Sequence, residues 1–137
     1  MPEPLLASTR YGEPVDEMLD AGIVASLLDL AAMSDDGAAQ LLQLVELFSR
    51  DAATRLGALA AAAASDDDRA VMTLAHSLAG SAANLGARTF ADACRDIEHG
   101  IESGSCRADA VDVAALEDAL ACAVAALRQL FGDAAPG

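Results

Sequence analysis

The sequence predicts an all-α fold, an up-and-down four-helix bundle with an additional short N-terminal helix. Three observations carry that prediction. Alanine and leucine dominate while aromatic residues make up 3% of the chain and β-branched runs are few, which suits closely packed helices better than a sheet. Apolar positions recur every three or four residues in five successive stretches. The segments between those stretches are short, as they are where antiparallel helices follow one another. At 137 residues the chain has the size of one domain.

Residues 1–14 hold three of the four prolines, Pro2, Pro4 and Pro14, together with Gly12, and show no apolar period. They read as a flexible tail or linker ahead of a domain at 15–132, with 133–137 as a flexible C-terminus. The first helix is expected over 16–33, with Leu19, Ile23, Leu27, Leu30 and Ala31 on its apolar face and Ser34-Asp35-Asp36-Gly37 closing it. A longer helix follows over 38–64, carrying Leu41, Leu44, Val45, Phe48, Ala52, Leu56 and Leu59 on one stripe. Ser65 with Asp68 three positions later resembles a capping box, and the carboxylates of Asp66, Asp67 and Asp68 suit the positive end of a helix dipole. A third helix should therefore start there and run to Asn84 or Leu85, where Gly86 supplies a C-terminal cap. The fourth spans 88–103, buries Phe90, Cys94, Ile97 and Ile101, and stops at Gly104; the fifth spans 108–131, with Val113, Leu116, Leu120, Val124, Leu127 and Phe131 inward.

Eight arginines and no lysine stand against 22 acidic residues, for a formal net charge of −14. Such a field repels nucleic-acid phosphates and anionic membrane surfaces, so neither is an expected partner. Cys94, Cys106 and Cys122 are odd in number and lack the paired spacing of a zinc site or a disulfide framework. They read as packed thiols in a reducing cytoplasm. No basic segment precedes an apolar core at the N-terminus, and polar residues interrupt the alanine-rich runs before they could span a bilayer.

The chemistry concentrates on the third helix. With Leu78 at the centre of its buried face and about 100° per residue, Val71, Leu74, Ala75, Ala82 and Leu85 fall within about 60° of it. His76 falls about 160° away. It therefore projects outward, on the side shared by Arg69, Met72, Thr73, Gly80 and Ala83. An exposed imidazole populates its neutral, nucleophilic form near neutral pH. Gly80 lies one turn beyond His76, within a helix where it costs about 1 kcal/mol relative to Ala. A bare backbone there would let a partner or a phosphoryl group approach the ring. Ala79 and Ala83 extend this into a shallow surface, and Met72 supplies an adaptable apolar edge.

The segment His76-Ser77-Leu78-Ala79-Gly80-Ser81-Ala82-Ala83-Asn84-Leu85-Gly86-Ala87 resembles the signature of the histidine-containing phosphotransfer (HPt) domains. The likeness extends over about residues 16–131. It implies a phosphorelay intermediate of two-component signalling, a carrier and not an enzyme. His76 would accept a phosphoryl group on Nε2 from a receiver-domain aspartate and pass it to another receiver, with Arg69, Met72, Thr73, Ala79, Gly80, Ala83 and Arg88 forming the docking and binding surface. It implies no cofactor or metal of the chain's own, since the receiver of a response regulator or hybrid kinase would bring Mg²⁺. The chain would be a cytoplasmic monomer, free or as the terminal domain of a hybrid kinase. One departure stands out: the family usually has Lys immediately before the glycine, and this chain has Ala79. Losing one charge-assisted contact weakens phosphohistidine formation by roughly 1.5–3 kcal/mol. Arg69 and Arg88 are candidate substitutes.

Other readings are weaker. His99, beside Glu98 near a helix end, reads as a cation favoured by the dipole. A metal site from His76, His99 and nearby carboxylates lacks the Glu-x-x-His pairs of a bundle metal centre. Ser77 and Ser81 lack the strand-turn-helix elbow of a hydrolase. Asp35, Asp36 and Asp66 to Asp68 read as solvated helix starts, and Leu44 and Phe48 as core. The competing class is an HPt-shaped interaction module that binds or inhibits a partner with weak or no phosphotransfer, motivated by Ala79.

Overall fold

The computed structural model describes residues 18–134, and every regular element among them is helical. Helix α1 spans Ala21–Ala31, α2 Gly37–Ala64, α3 Asp68–Asn84 and α4 Arg88–Ser103; a single 3₁₀ turn at Ala108–Ala110 precedes α5, Val113–Asp133. Helices α2 to α5 form the bundle, each packed on its chain neighbour and α5 closing against α2, while α1 packs on α2. Among the described residues no helix is long and apolar enough to cross a membrane. The tail at 1–14 and the start of the expected first helix lie outside the described residues.

Helix α1 starts later than the periodicity suggests. Asp20 is its N-cap, accepting from the Ile23 N–H at 3.1 Å, and its own N–H donates to the Gly86 carbonyl at 2.7 Å. Met18 and Leu19 are buried ahead of that cap, so Leu19 enters the core before the helix begins. The buried side of α1 is Val24, with Leu27, Leu28 and Ala31 partly covered. Leu30, expected on the apolar face, is 65% exposed. A short helix laid on the bundle has one narrow contact line, and Leu30 falls off it.

Gly37 opens α2, although the sequence placed it in the preceding turn. A Cβ there would stand 1.9 Å from the Ala31 carbonyl oxygen, so only a bare backbone lets α2 leave the end of α1 at this angle. Leu41, Val45, Phe48, Ala52, Leu56 and Leu59 form the buried stripe of α2 as expected. Leu44 is a correction: it lies about 100° from Val45 on the helix and is exposed, as is Leu47. Phe48 meets Phe90 of α4 edge to face, with ring centroids 6.3 Å apart.

The cap of α3 is Asp67, not Ser65. Its carboxylate accepts from the Ala70 N–H at 3.1 Å, while Ser65 terminates α2 and Asp66 takes a left-handed φ of 54°. The flanking carboxylates do more than meet solvent. Asp68 accepts from the Ala108 N–H at 2.9 Å, and Asp66 accepts from the Arg107 guanidinium at 3.1 Å, tying the α2–α3 turn to the α4–α5 connection. That tie also delays α5, which begins behind Asp112, whose side chain accepts from the Ala115 N–H, instead of at 108. Val113 is only partly buried, and α5 continues through Asp133, past the expected end at Phe131.

The α3–α4 turn follows the sequence closely. The Gly86 N–H bonds the Ala83 carbonyl, the Ala87 N–H bonds the Ala82 carbonyl, and Gly86 has φ +80°, which together make a Schellman motif. On the far side of the bundle, Arg128 of α5 grips Glu46 of α2 through Nε at 2.6 Å and Nη2 at 2.7 Å. That hydrogen bond holds the Glu46 carboxyl below the usual carboxylate range. Replacing Gly37 with Ala should destabilise the chain by about 1–3 kcal/mol, because backbone must move to admit the methyl. Urea unfolding checks this, and an unchanged midpoint would contradict it.

Candidate functional site

His76 occupies the middle of α3, on the face turned away from Val71, Ala75, Leu78 and Ala82, and its side chain is 75% exposed. The ring is nevertheless held. Its Nδ1 lies 2.8 Å from Oε2 of Glu98, whose side chain is only 18% exposed on α4. A carboxylate can only accept, so the shared proton sits on Nδ1. In the neutral ring Nε2 is then the nitrogen that keeps its lone pair, on an outward-facing side chain. Glu98 thus fixes both tautomer and orientation, the part a buried carboxylate plays behind a reactive histidine in many sites.

The turn between the helices explains why these two residues meet. His76 stands as many residues before Ala87 as Glu98 stands after it, so antiparallel helices joined at a tight Schellman turn bring them level. Sequence reading missed Glu98, although this symmetry about the turn was available.

The other expected site residues divide. Arg69 and Thr73 are exposed and line one shallow, open depression with Asp67, Ala70 and Leu74. Gly80 is exposed, and a Cβ there would meet nothing within 4 Å, so no contact inside the chain requires this glycine. Met72, one turn before His76, and Ala83, one turn beyond Gly80, are half-buried. Arg88, at the start of α4, is exposed but already engaged with a neighbour. Ala79 is a correction: it is 3% exposed and belongs to the core, not to a docking surface. The buried arc of α3 is Val71, Ala75, Leu78, Ala79 and Ala82, centred roughly 40° from Leu78, because α4 covers that flank. His99 is exposed on α4.

Cys94 is fully buried beside this wall of the bundle, and burial pushes its thiol up to about 12. It packs as an apolar group and offers no nucleophile near neutral pH. Glu98 generates a sharper test. In nitrogen-detected NMR, neutral His76 should carry its proton on Nδ1, and Glu98→Ala should move the population toward Nε2–H with the helical content unchanged. A proton on Nε2 in the parent chain would overturn the assigned geometry.

Known proteins supply the context for this arrangement. Comparison with protein families matches residues 43–130 to the Hpt domain. Among solved structures, the chain is similar to histidine-containing phosphotransfer protein B (HptB) from Pseudomonas aeruginosa PAO1, with a TM-score of 0.61 and 28% identity, over 86% of this chain and 94% of that one. No curated protein matches it. An exposed, carboxylate-held histidine in the middle of a bundle helix, inside a segment matching that domain over most of its length, places the chain in the Hpt domain family.

Proposed function

We propose that this chain is a phosphorelay intermediate that carries a phosphoryl group on Nε2 of His76 between receiver domains of two-component signalling. The observation that supports it most strongly is the 2.8 Å contact from Nδ1 to Glu98 on a ring whose side chain is 75% exposed. A histidine serving only the fold would have no reason to be oriented and left open at once.

In this reading the Nε2 lone pair attacks the phosphorus of a receiver's aspartyl phosphate. The P–N bond forms as the bond to the aspartate oxygen breaks, and the aspartate leaves as a carboxylate. Positive charge grows on the imidazole during the attack, and the half-buried Glu98 carboxylate stabilises it through Nδ1–H. Transfer to the next receiver runs the same step in reverse. Catalysis here is mostly alignment and charge stabilisation. The receiver brings Mg²⁺, and the carrier has no turnover of its own. With such partners the chain would act in the cytoplasm.

Gly80 bears on docking. Since its absent side chain relieves nothing inside the chain, the helix-propensity cost of about 1 kcal/mol is better explained by space kept clear for a partner. Arg69 and Thr73 on one flank, and the half-buried Met72 and Ala83 on the other, supply the rest of that surface. The second reading, an interaction module with weak or no phosphotransfer, is favoured by the apolar, buried Ala79 where the family usually has Lys.

A labelled receiver separates the two. The parent chain should take up the phosphoryl group and His76→Gln should take up none; an unlabelled parent chain, under conditions where an established HPt protein is labelled, leaves only the docking reading. Gly80→Ala should raise unfolding stability by about 1 kcal/mol. The same change should slow transfer on the order of tenfold, through misalignment of the partner. Equal or faster transfer in that variant would contradict a docking role for the bare backbone.

A further inference from the structure

The carrier reading creates an electrostatic problem that the residues around His76 must answer. A phosphoryl group on Nε2 brings close to two negative charges to a chain of net charge −14, one imidazole away from the Glu98 carboxylate. Like charges at that spacing oppose phosphohistidine formation unless a cation stands near, and Ala79 supplies none.

The contact between His76 and Glu98 fixes the register of α3 against α4, and so ranks the available arginines. Arg69 is seven residues before His76, about 10 Å along the helix axis. Arg88 is ten residues before Glu98, about 15 Å along α4, and is already engaged. Arg95 is three residues before Glu98, about 4.5 Å along the axis, which sets it level with Ala79 and Gly80. At helical spacing Ala91, Arg95, Glu98 and Glu102 share one stripe of α4. That stripe borders α3, because Ala91 is buried and Glu98 reaches His76. Arg95 therefore stands on the α4 side of His76, level with the Ala79 position that lacks a cation.

Its present partner is weak. Nη1 of Arg95 donates to Asp92 at 3.3 Å, and both side chains are well exposed, 44% and 57%. Exposed pairs of this kind contribute little and exchange readily, whereas a guanidinium can bond two phosphoryl oxygens at once. We propose that Arg95 leaves Asp92 to bind the phosphoryl group on His76, supplying from α4 the cation that α3 lacks. The assignment rests on the carrier reading and specifies which residue holds the phosphoryl oxygens.

Phosphoramidate, a small phosphoryl donor that needs no docking partner, tests the assignment. His76 attacks its phosphorus and ammonia leaves. Phosphohistidine is followed by ³¹P NMR in the parent chain and in Arg95→Ala, Arg95→Lys and Asp92→Ala, with thermal unfolding run alongside. Arg95→Ala should lower the labelled fraction about fivefold at an unchanged melting temperature. Arg95→Lys should retain most of it, and Asp92→Ala, which frees the guanidinium, should match or exceed the parent chain. Labelling of Arg95→Ala to the parent level overturns the assignment alone. A parent chain that takes no label from phosphoramidate or from a receiver overturns the carrier reading as well.

Discussion

The hydrogen bond between Nδ1 of His76 and Glu98 is the constraint on which the chemistry of this chain depends. It converts a mobile surface imidazole into a group with one defined nucleophilic nitrogen, and it does so from the rear, leaving the front open. The bond requires two helices in a definite register. That register comes from the tight turn at Gly86, where two backbone hydrogen bonds and a left-handed glycine fix how α4 departs from α3. Docking of α1 reinforces the same turn, since Asp20 donates its N–H to the Gly86 carbonyl and Val24 packs against that glycine.

The rest of the bundle keeps this wall rigid without crowding it. The Phe48–Phe90 contact braces α2 against α4 inside the core, and the Arg128–Glu46 clamp closes α5 on α2 at the surface. At the end where α3 begins, Asp66 and Asp68 bind the connection into α5. None of these ties occupies the His76 face. Charge is organised in the same spirit: the chain is strongly acidic, yet the carboxylate nearest the ring is turned to its rear nitrogen, and arginines stand at the flanks.

Much of this was legible in the chain. Periodicity of three to four residues located all five helices, and the Gly86 and Gly104 stops were readable because a left-handed backbone selects glycine. The outward placement of His76 followed from counting around α3. What failed had local physical causes. Leu30 and Leu44 look like core residues by type, but periodicity cannot say how wide a strip each neighbour covers. Ala79 was misplaced because a seam centred on Leu78 ignores that α4 covers more of α3 on one side. The start of α5 depended on Asp68 reaching Ala108 across forty residues, which no window of sequence contains. Glu98 belongs with these, since a contact between helices becomes readable only once the turn joining them is treated as a mirror.

The position of the phosphoryl group on the ring tests the account most directly. The chain should be phosphorylated and the linkage assigned by ¹H, ¹⁵N and ³¹P couplings to the His76 imidazole. A phosphoryl group bonded to Nε2, with Nδ1 still protonated and facing Glu98, is the expected result. Phosphorylation at Nδ1, or at another residue altogether, would contradict it.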